Sequence, residues 1–341
     1  MIVNPPLAAP AEPHRVAFEA GRHAQAVALV VIWLLLTCAA AFRWFGDSRD
    51  YLEYLSYYNR IPPYLSFDYT RFEPGFHFSA WVARTYLNLD YDYFVLIVAG
   101  VALAIKFYLF RKYLRYPLLA VATYFAIFYG THEYTQIRVG IALAFGYLSI
   151  HLLLEKRYLL AAIWFVLAYL LHTSLVVLPF AYLASRYVRG NLAVILIGVG
   201  AAILFFLSEQ LRELIVSLFS GINPLVRSYI DNRAFESVSP LSVNNLLLFA
   251  ALAAAVLGGW FKFSRYHATF LTLSIAAVVA VVVLQTAPIV AGRTKDVLFV
   301  AVIFLIYRSK ITLRTFPVIF LIWADAALLL YLAFREGLIS L

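Results

Sequence analysis

Apolar runs, many of them close to the roughly 20 residues that carry a helix across a bilayer, recur along almost the whole chain with only short polar breaks between them. No soluble fold buries that many. In lipid a spanning segment must satisfy its own backbone, so the runs read as helices. Eleven spans are expected, at 26–45, 91–110, 117–131, 137–154, 158–171, 173–186, 191–208, 243–261, 266–286, 297–307 and 316–334. Those at 117–131, 158–171, 173–186 and 297–307 are short, and are expected to be tilted, broken or extended by their polar ends. The stretch 74–88 is too short and too polar for a span, and reads as a re-entrant or interfacial helix. The fold class is therefore an all-α polytopic integral membrane protein, a single membrane domain over 1–341. Composition agrees: 13% of residues are charged, against roughly 25% in soluble domains.

The basic residues give an orientation. Arg111, Lys112 and Arg115; Lys156 and Arg157; Arg186 and Arg189; Lys262 and Arg265; and Arg308, Lys310 and Arg314 fall in alternate loops. The positive-inside rule assigns these loops, with the proline-rich tail 1–25, to the cytoplasm. The tail's prolines, Pro5, Pro6, Pro10 and Pro13, argue against helix there. The first apolar run lacks a signal-peptide cleavage pattern, so it is expected to stay attached. Inside then lie fourteen Lys/Arg against three acids, and the other face is close to balance. The net charge of +9 is thus a topological signal, which excludes a nucleic-acid partner. The pattern holds only if 74–88 does not cross. Cys38 is the lone cysteine, so there is no internal disulfide, Cys-ligated zinc or iron–sulfur site.

Two outer (periplasmic) loops, 46–73 and 209–242, are long enough to do more than connect. The first is rich in tyrosine, a composition suited to sugar stacking or to an interfacial aromatic belt. Residues costly to hold at membrane depth gather on this same side: Asp47 and Asp50; Arg71, Glu73 and His77; His132, Glu133, Gln136 and Arg138; His172; and Arg293 with Lys295 and Asp296. Arg138 opens a helix whose Gly140/Ala144 and Ala142/Gly146 spacing admits a close neighbour. Tyr134, four residues earlier on the same face, is within reach to orient its guanidinium. Arg138 and Arg293 are two planar cations suited to bidentate contact with a pyrophosphate. His172 ends one short helix and precedes another that Thr173 or Ser174 can cap, and an imidazole there is a candidate general base. Each also has a plainer reading: a snorkelling arginine, a helix-bridging histidine, a Glu73–Arg71 salt bridge, a solvated Asp50. His151 and Lys106, nearer the inner ends of their spans, receive no catalytic role. Asp325, midway along a span, should be protonated or bonded to another helix.

Taken together, Asp50-Tyr51 with Tyr54 and Tyr57 or Tyr58, Glu73-Pro74-Gly75-Phe76, Arg138-Val139-Gly140-Ile141-Ala142, Glu155-Lys156-Arg157, His172-Thr173-Ser174-Leu175 and Arg293 resemble the EpsG branch of Wzy-type polysaccharide polymerases. The likeness covers most of the chain and is strongest from about 47 to 180. It implies transfer of a glycan from undecaprenyl pyrophosphate to a hydroxyl of a lipid-linked repeat unit, at the periplasmic face of the bacterial inner membrane. It implies a metal-independent glycosyltransferase with no cofactor, inverting at the anomeric carbon. Arg138 and Arg293 would bind pyrophosphate and His172, Glu73 or Asp50 would serve as catalytic residues. Arg71, His132, Glu133, Tyr134 and Gln136 would make secondary substrate contacts. Expected partners are the lipid-linked oligosaccharide, membrane lipids, and a chain-length regulator and flippase of the same pathway. Three other readings compete: a polyprenyl-monophosphate-sugar transferase with Asp47 or Asp50 as base, a lipid-linked oligosaccharide flippase, and a polysaccharide O-acyltransferase.

Overall fold

The computed structural model describes residues 13–48, 50–67, 72–187, 242–257, 264–285, 288–312 and 315–335, with Gln210. Its described elements are helices: α1 (Pro13–Ala41), α2 (Tyr51–Asn59), α3 (Pro74–Thr85), α4 (Tyr91–Tyr113), α5 (Pro117–Tyr124), a π-helix (Phe125–Thr135), α6 (Ile137–Leu154), α7 (Tyr158–Leu171), a 3-10 turn (Thr173–Val176), α8 (Val177–Ala184), α9 (Val243–Leu257), α10 (Arg265–Val283), α11 (Pro288–Phe299), α12 (Ala301–Ile306) and α13 (Phe316–Arg335). Four of the segments, His23–Ala41, Tyr91–Tyr113, Ile137–Leu154 and Arg265–Val283, are long and apolar enough to cross a membrane. The expected span at 191–208 and nearly all of the loop 209–242 lie outside the described residues, as does Arg71.

Where sequence and structure differ, local chemistry explains the difference. The helix of the first span starts at Pro13, inside the stretch where prolines argued against helix. A proline in the first helical turn has no hydrogen bond to lose, so Pro13 permits the start. The short span at 117–131 is an α-helix that widens into a π-helix at Phe125. That at 173–186 opens as a 3-10 turn. The run expected at 297–307 falls on two consecutive helices, α11 and α12, and α11 already begins at Pro288, carrying Arg293, Lys295 and Asp296 within the helix. The stretch 74–88 is a 12-residue helix, about 18 Å at 1.5 Å per residue and too short for a hydrocarbon core of about 30 Å.

The core is built on α4 and α6. These pack together, with α1 on the outside of α4, α7 on α6, and α10 with α11 and α12 closing the side beyond α8. Phe110, Tyr147, Phe270 and Phe304 are fully buried where α4, α6, α10 and α12 meet. His151 lies in that aromatic layer, bonding the Tyr147 carbonyl at 2.7 Å and the Tyr266 hydroxyl at 3.3 Å. Both its nitrogens are used, as befits a helix-bridging histidine.

Candidate functional site

The motif Phe72-Glu73-Pro74-Gly75-Phe76 builds the site. Pro74 starts α3, and Glu73 sits at its N-cap in extended conformation (φ −60°, ψ 146°). A Cβ on Gly75 would lie 2.8 Å from the Leu170 carbonyl oxygen, so α3 touches the backbone of α7 there and only glycine fits. That contact brings the Glu73 side chain to the end of α7, where the chain breaks at His172 (φ −160°, ψ 118°).

Glu73 then holds two partners at once. One carboxylate oxygen accepts from His172 Nδ1 at 2.6 Å and, more distantly, from the Thr173 backbone N–H at 3.5 Å. The other is ion-paired with the Arg138 guanidinium. Arg138 Nε donates to the Tyr54 hydroxyl at 2.8 Å, and its Cζ stands 4.3 Å over the Phe72 ring. Burial works against ionisation of Glu73, but the His172 hydrogen bond and the Arg138 charge prevail and hold its pKa down at about 2. An ionised carboxylate only accepts, so His172 Nδ1 carries the hydrogen and, in the neutral ring, Nε2 presents a lone pair. Among the described residues, His172 Nε2 is buried with no hydrogen-bond partner. The arrangement is therefore an imidazole oriented by a carboxylate and open at its second nitrogen, with a guanidinium fixed on the same carboxylate.

The cap expected from Thr173 or Ser174 is absent: the 3-10 turn has no side-chain cap, and the Ser174 hydroxyl is buried without a partner among the described residues. The Glu73 carboxylate, arriving from α3, faces the start of the turn instead.

Other residues singled out by sequence lie elsewhere. Tyr134 does not orient Arg138; its hydroxyl accepts from the Phe45 N–H at 3.0 Å and donates to the Gly46 carbonyl. The cause is the π-helix over 125–135, which ends at Gln136 (φ −106°, ψ 66°) and breaks the four-residue periodicity between 134 and 138. Tyr54 of α2 fills that role. Its spacing from Arg138 gave no hint, though it stands among the motif residues quoted above, as Phe72 stands beside Glu73. Glu133 and His132 belong to a different, fully buried cluster. Lys106 of α4 donates to the Tyr124 hydroxyl and to the Gly140 carbonyl, each at 2.8 Å, and is ion-paired with Glu133. The Tyr124 hydroxyl donates to the other Glu133 oxygen at 2.7 Å, and His132 Nδ1 is 3.3 Å from it. Gln136 caps α6 through its backbone, accepting from the Gly140 N–H at 3.1 Å. Asp50 stands at the N-cap of α2, one turn before Tyr54. The helix of Arg293, α11, packs against the Thr173–Val176 turn that follows His172. Asp325 is completely buried. Among the described residues, no group of three or more His, Cys, Asp or Glu side chains is placed to hold a metal ion.

A family model described as the EpsG family matches residues 26–335. Over 120 residues the chain is 29% identical to the amylovoran biosynthesis protein AmsC of Erwinia amylovora, a stretch that covers 34% of this chain and 32% of that relative. No solved structure matches.

Proposed function

The chain belongs to the EpsG family, a membrane protein of polysaccharide biosynthesis, and from that premise we propose that it is a polymerase of lipid-linked repeat units. In this reading it transfers a glycan from undecaprenyl pyrophosphate to a hydroxyl of an incoming lipid-linked unit. The observation that carries the reading is the Glu73–His172 pair with Nε2 unpartnered, held beside Arg138.

His172 Nε2 takes the proton of the acceptor hydroxyl as its oxygen attacks the anomeric carbon. The bond from that carbon to the pyrophosphate oxygen breaks, and undecaprenyl pyrophosphate leaves with the electron pair. Glu73 fixes the imidazole's orientation and stabilises the imidazolium that forms. Arg138 has five N–H donors and uses two of them on Tyr54 and Glu73, so its remaining edge is free for phosphate oxygens. Arg293 is the second cation in this proposal, supported by the packing of α11 against the turn after His172. With attack opposite the leaving group, the anomeric carbon inverts.

The topology proposed is about eleven crossings, with α3 re-entrant, in the bacterial inner membrane and with the site facing the periplasm. Basic clusters at the far ends of α4 and α6 support that orientation. A flippase and a chain-length regulator of the same pathway are the proposed partners.

The test is reconstitution. The purified protein in liposomes, given the lipid-linked repeat unit without nucleotide sugar, produces a ladder of longer products. Addition of single sugars from a monophosphate donor would support the competing transferase. Full-length polymer from Arg138→Ala or His172→Ala protein would refute the assignment of the site.

A further inference from the structure

The chain leaves the first span through a strained turn that the proposed mechanism does not use. α1 closes with the Trp44 N–H bonded to the Ala39 carbonyl at 3.3 Å, a helix ending in which the residue before the donor turns left-handed and is usually glycine. Here that residue is Arg43, at φ 54°. Any side chain disfavours this conformation, whereas glycine adopts it freely. The Gly46 N–H, from a residue at φ 88°, then bonds the Arg43 carbonyl at 3.0 Å and tightens the turn further.

Strain of this kind points to a use for the side chain. The Arg43 Cζ stands 4.5 Å from the centre of the Tyr51 ring and 5.0 Å from that of Tyr134, so one planar cation touches the first residue of α2 and the last turn of the π-helix. It also donates to the Tyr134 carbonyl and, at 3.5 Å, to the Ser48 hydroxyl. Each element leads on to Arg138. Tyr51 lies one helical turn before Tyr54, whose hydroxyl accepts from Arg138 Nε, and Tyr134 precedes Arg138 across the break at Gln136.

Resting on the polymerase reading, we infer that Arg43 is a positioning residue. It clasps α2 to the end of the π-helix and thereby sets the contact between Tyr54 and Arg138. Tyr134 enters the clasp through its ring and its backbone carbonyl, both of which a phenylalanine would keep. The guanidinium is the part that cannot be spared.

Two measurements test this. Arg43→Gly removes the clasp while suiting the left-handed backbone, so the end of α1 keeps its shape. Because Arg138 acts on the leaving group, this variant lowers kcat by roughly tenfold and leaves KM for the lipid-linked unit within about twofold. In a Tyr54→Phe background the same substitution lowers kcat by less than about threefold, since the contact it acts through is already gone. An equal loss in both backgrounds, no loss in the first, or a loss confined to KM overturns the proposal. Independently of turnover, spin labels are placed at Leu52→Cys on α2 and Gly130→Cys on the π-helix, in a Cys38→Ser background. Leu52 is 68% exposed and a Cβ at Gly130 meets open space, so neither label disturbs packing. The distance distribution between them is narrow with Arg43 and broadens in Arg43→Gly protein. Identical distributions would sink the clasp. Protein that makes no ladder with Arg43 in place, yet shows the broadening in the variant, defeats the polymerase reading and leaves the clasp standing.

Discussion

Two sets of ionisable side chains flank the first turn of α6, and they are closed to different degrees. Around Glu133 nearly every bond is made. Lys106 spends its three donors on Glu133, Tyr124 and the Gly140 carbonyl, and both Glu133 oxygens are taken. Their side chains are 4% and 0% exposed. Around Glu73 the carboxylate is equally occupied, but His172 keeps an unpartnered nitrogen and Arg138 keeps free donors. A buried ion pair with its valences filled fixes one conformation and has nothing left to offer a substrate. A pair that leaves an imidazole nitrogen and guanidinium donors unsaturated still has groups to offer a ligand, and an unpaired buried polar group costs about 1–3 kcal/mol until a partner arrives. His132 qualifies the contrast: its Nε2 is also unpaired, but it stacks on Phe128 inside the closed set, with ring centroids 5.5 Å apart.

If the contrast is sound, mutations in the open set change rate and those in the closed set change stability. The largest effect is expected from His172→Ala, which lowers the polymerisation rate by about 10²–10⁴, the usual contribution of a general base. The protein still accumulates in the membrane at the wild-type level, as measured by immunoblot. Next comes Lys106→Met. It strands the Glu133 carboxylate in a dry interior and costs about 3–5 kcal/mol of stability, seen as a lower melting temperature in detergent. Adding Glu133→Leu restores much of that stability, because an apolar pair of similar volume avoids the desolvation of both charges. A Lys106→Met protein with unchanged melting and a collapsed rate would place the closed set in the chemistry and end the comparison.

The same contrast explains what the sequence made legible. The helices were readable because each apolar run must satisfy its own backbone in lipid, and the described helices stand at the predicted runs with ends displaced at Pro13 and Pro288, except α2 (Tyr51–Asn59), a helix within the stretch 46–73 that reads as a loop in the sequence. Glu73, Arg138 and His172 were each visible as polar residues expensive to place at depth. Their union on one carboxylate was not, because it depends on Gly75 touching Leu170 nearly a hundred positions away. Lys106 read as an inner-end residue with no role, since nothing in periodicity shows that its long side chain meets a carboxylate from a π-helix. The π-helix itself is the deepest source of error. Widening the helix over 125–135 turns Glu133 and His132 inward to Lys106 and sends Tyr134 towards the end of α1, whereas four-residue spacing had put Tyr134 beside Arg138.

A smaller effect concerns pH. The folded-state pKa of Glu73 is lowered from 4.5 to about 2, so its ion pair with Arg138 and its hydrogen bond from His172 stabilise the protein fully above 4.5 and lose that contribution as the pH falls towards 2. The gap in melting temperature between wild type and Glu73→Gln is therefore constant from neutral pH down to about 5 and closes only below that. A gap that closes near neutrality would mean that the carboxylate is not held by Arg138 and His172 as described.

The finest test separates two tyrosines that the sequence could not tell apart. Tyr54 gives Arg138 its acceptor, and Tyr134 ties the π-helix to the backbone at Phe45 and Gly46. Tyr54→Phe removes one hydrogen bond to a charged group, about 1.5 kcal/mol, while the Glu73 ion pair still holds the guanidinium. The cost should fall on the transition state, as a drop of roughly tenfold in rate with little change in melting temperature. Tyr134→Phe loses bonds between neutral groups and should lower stability by about 1 kcal/mol while leaving the rate per folded molecule unchanged. The two variants remove the same atom from the same residue type, so a difference in outcome can come only from where the hydroxyl points. If Tyr134→Phe slowed the reaction and Tyr54→Phe did not, helical spacing would have been the better guide to Arg138, and the break at Gln136 would carry no functional weight.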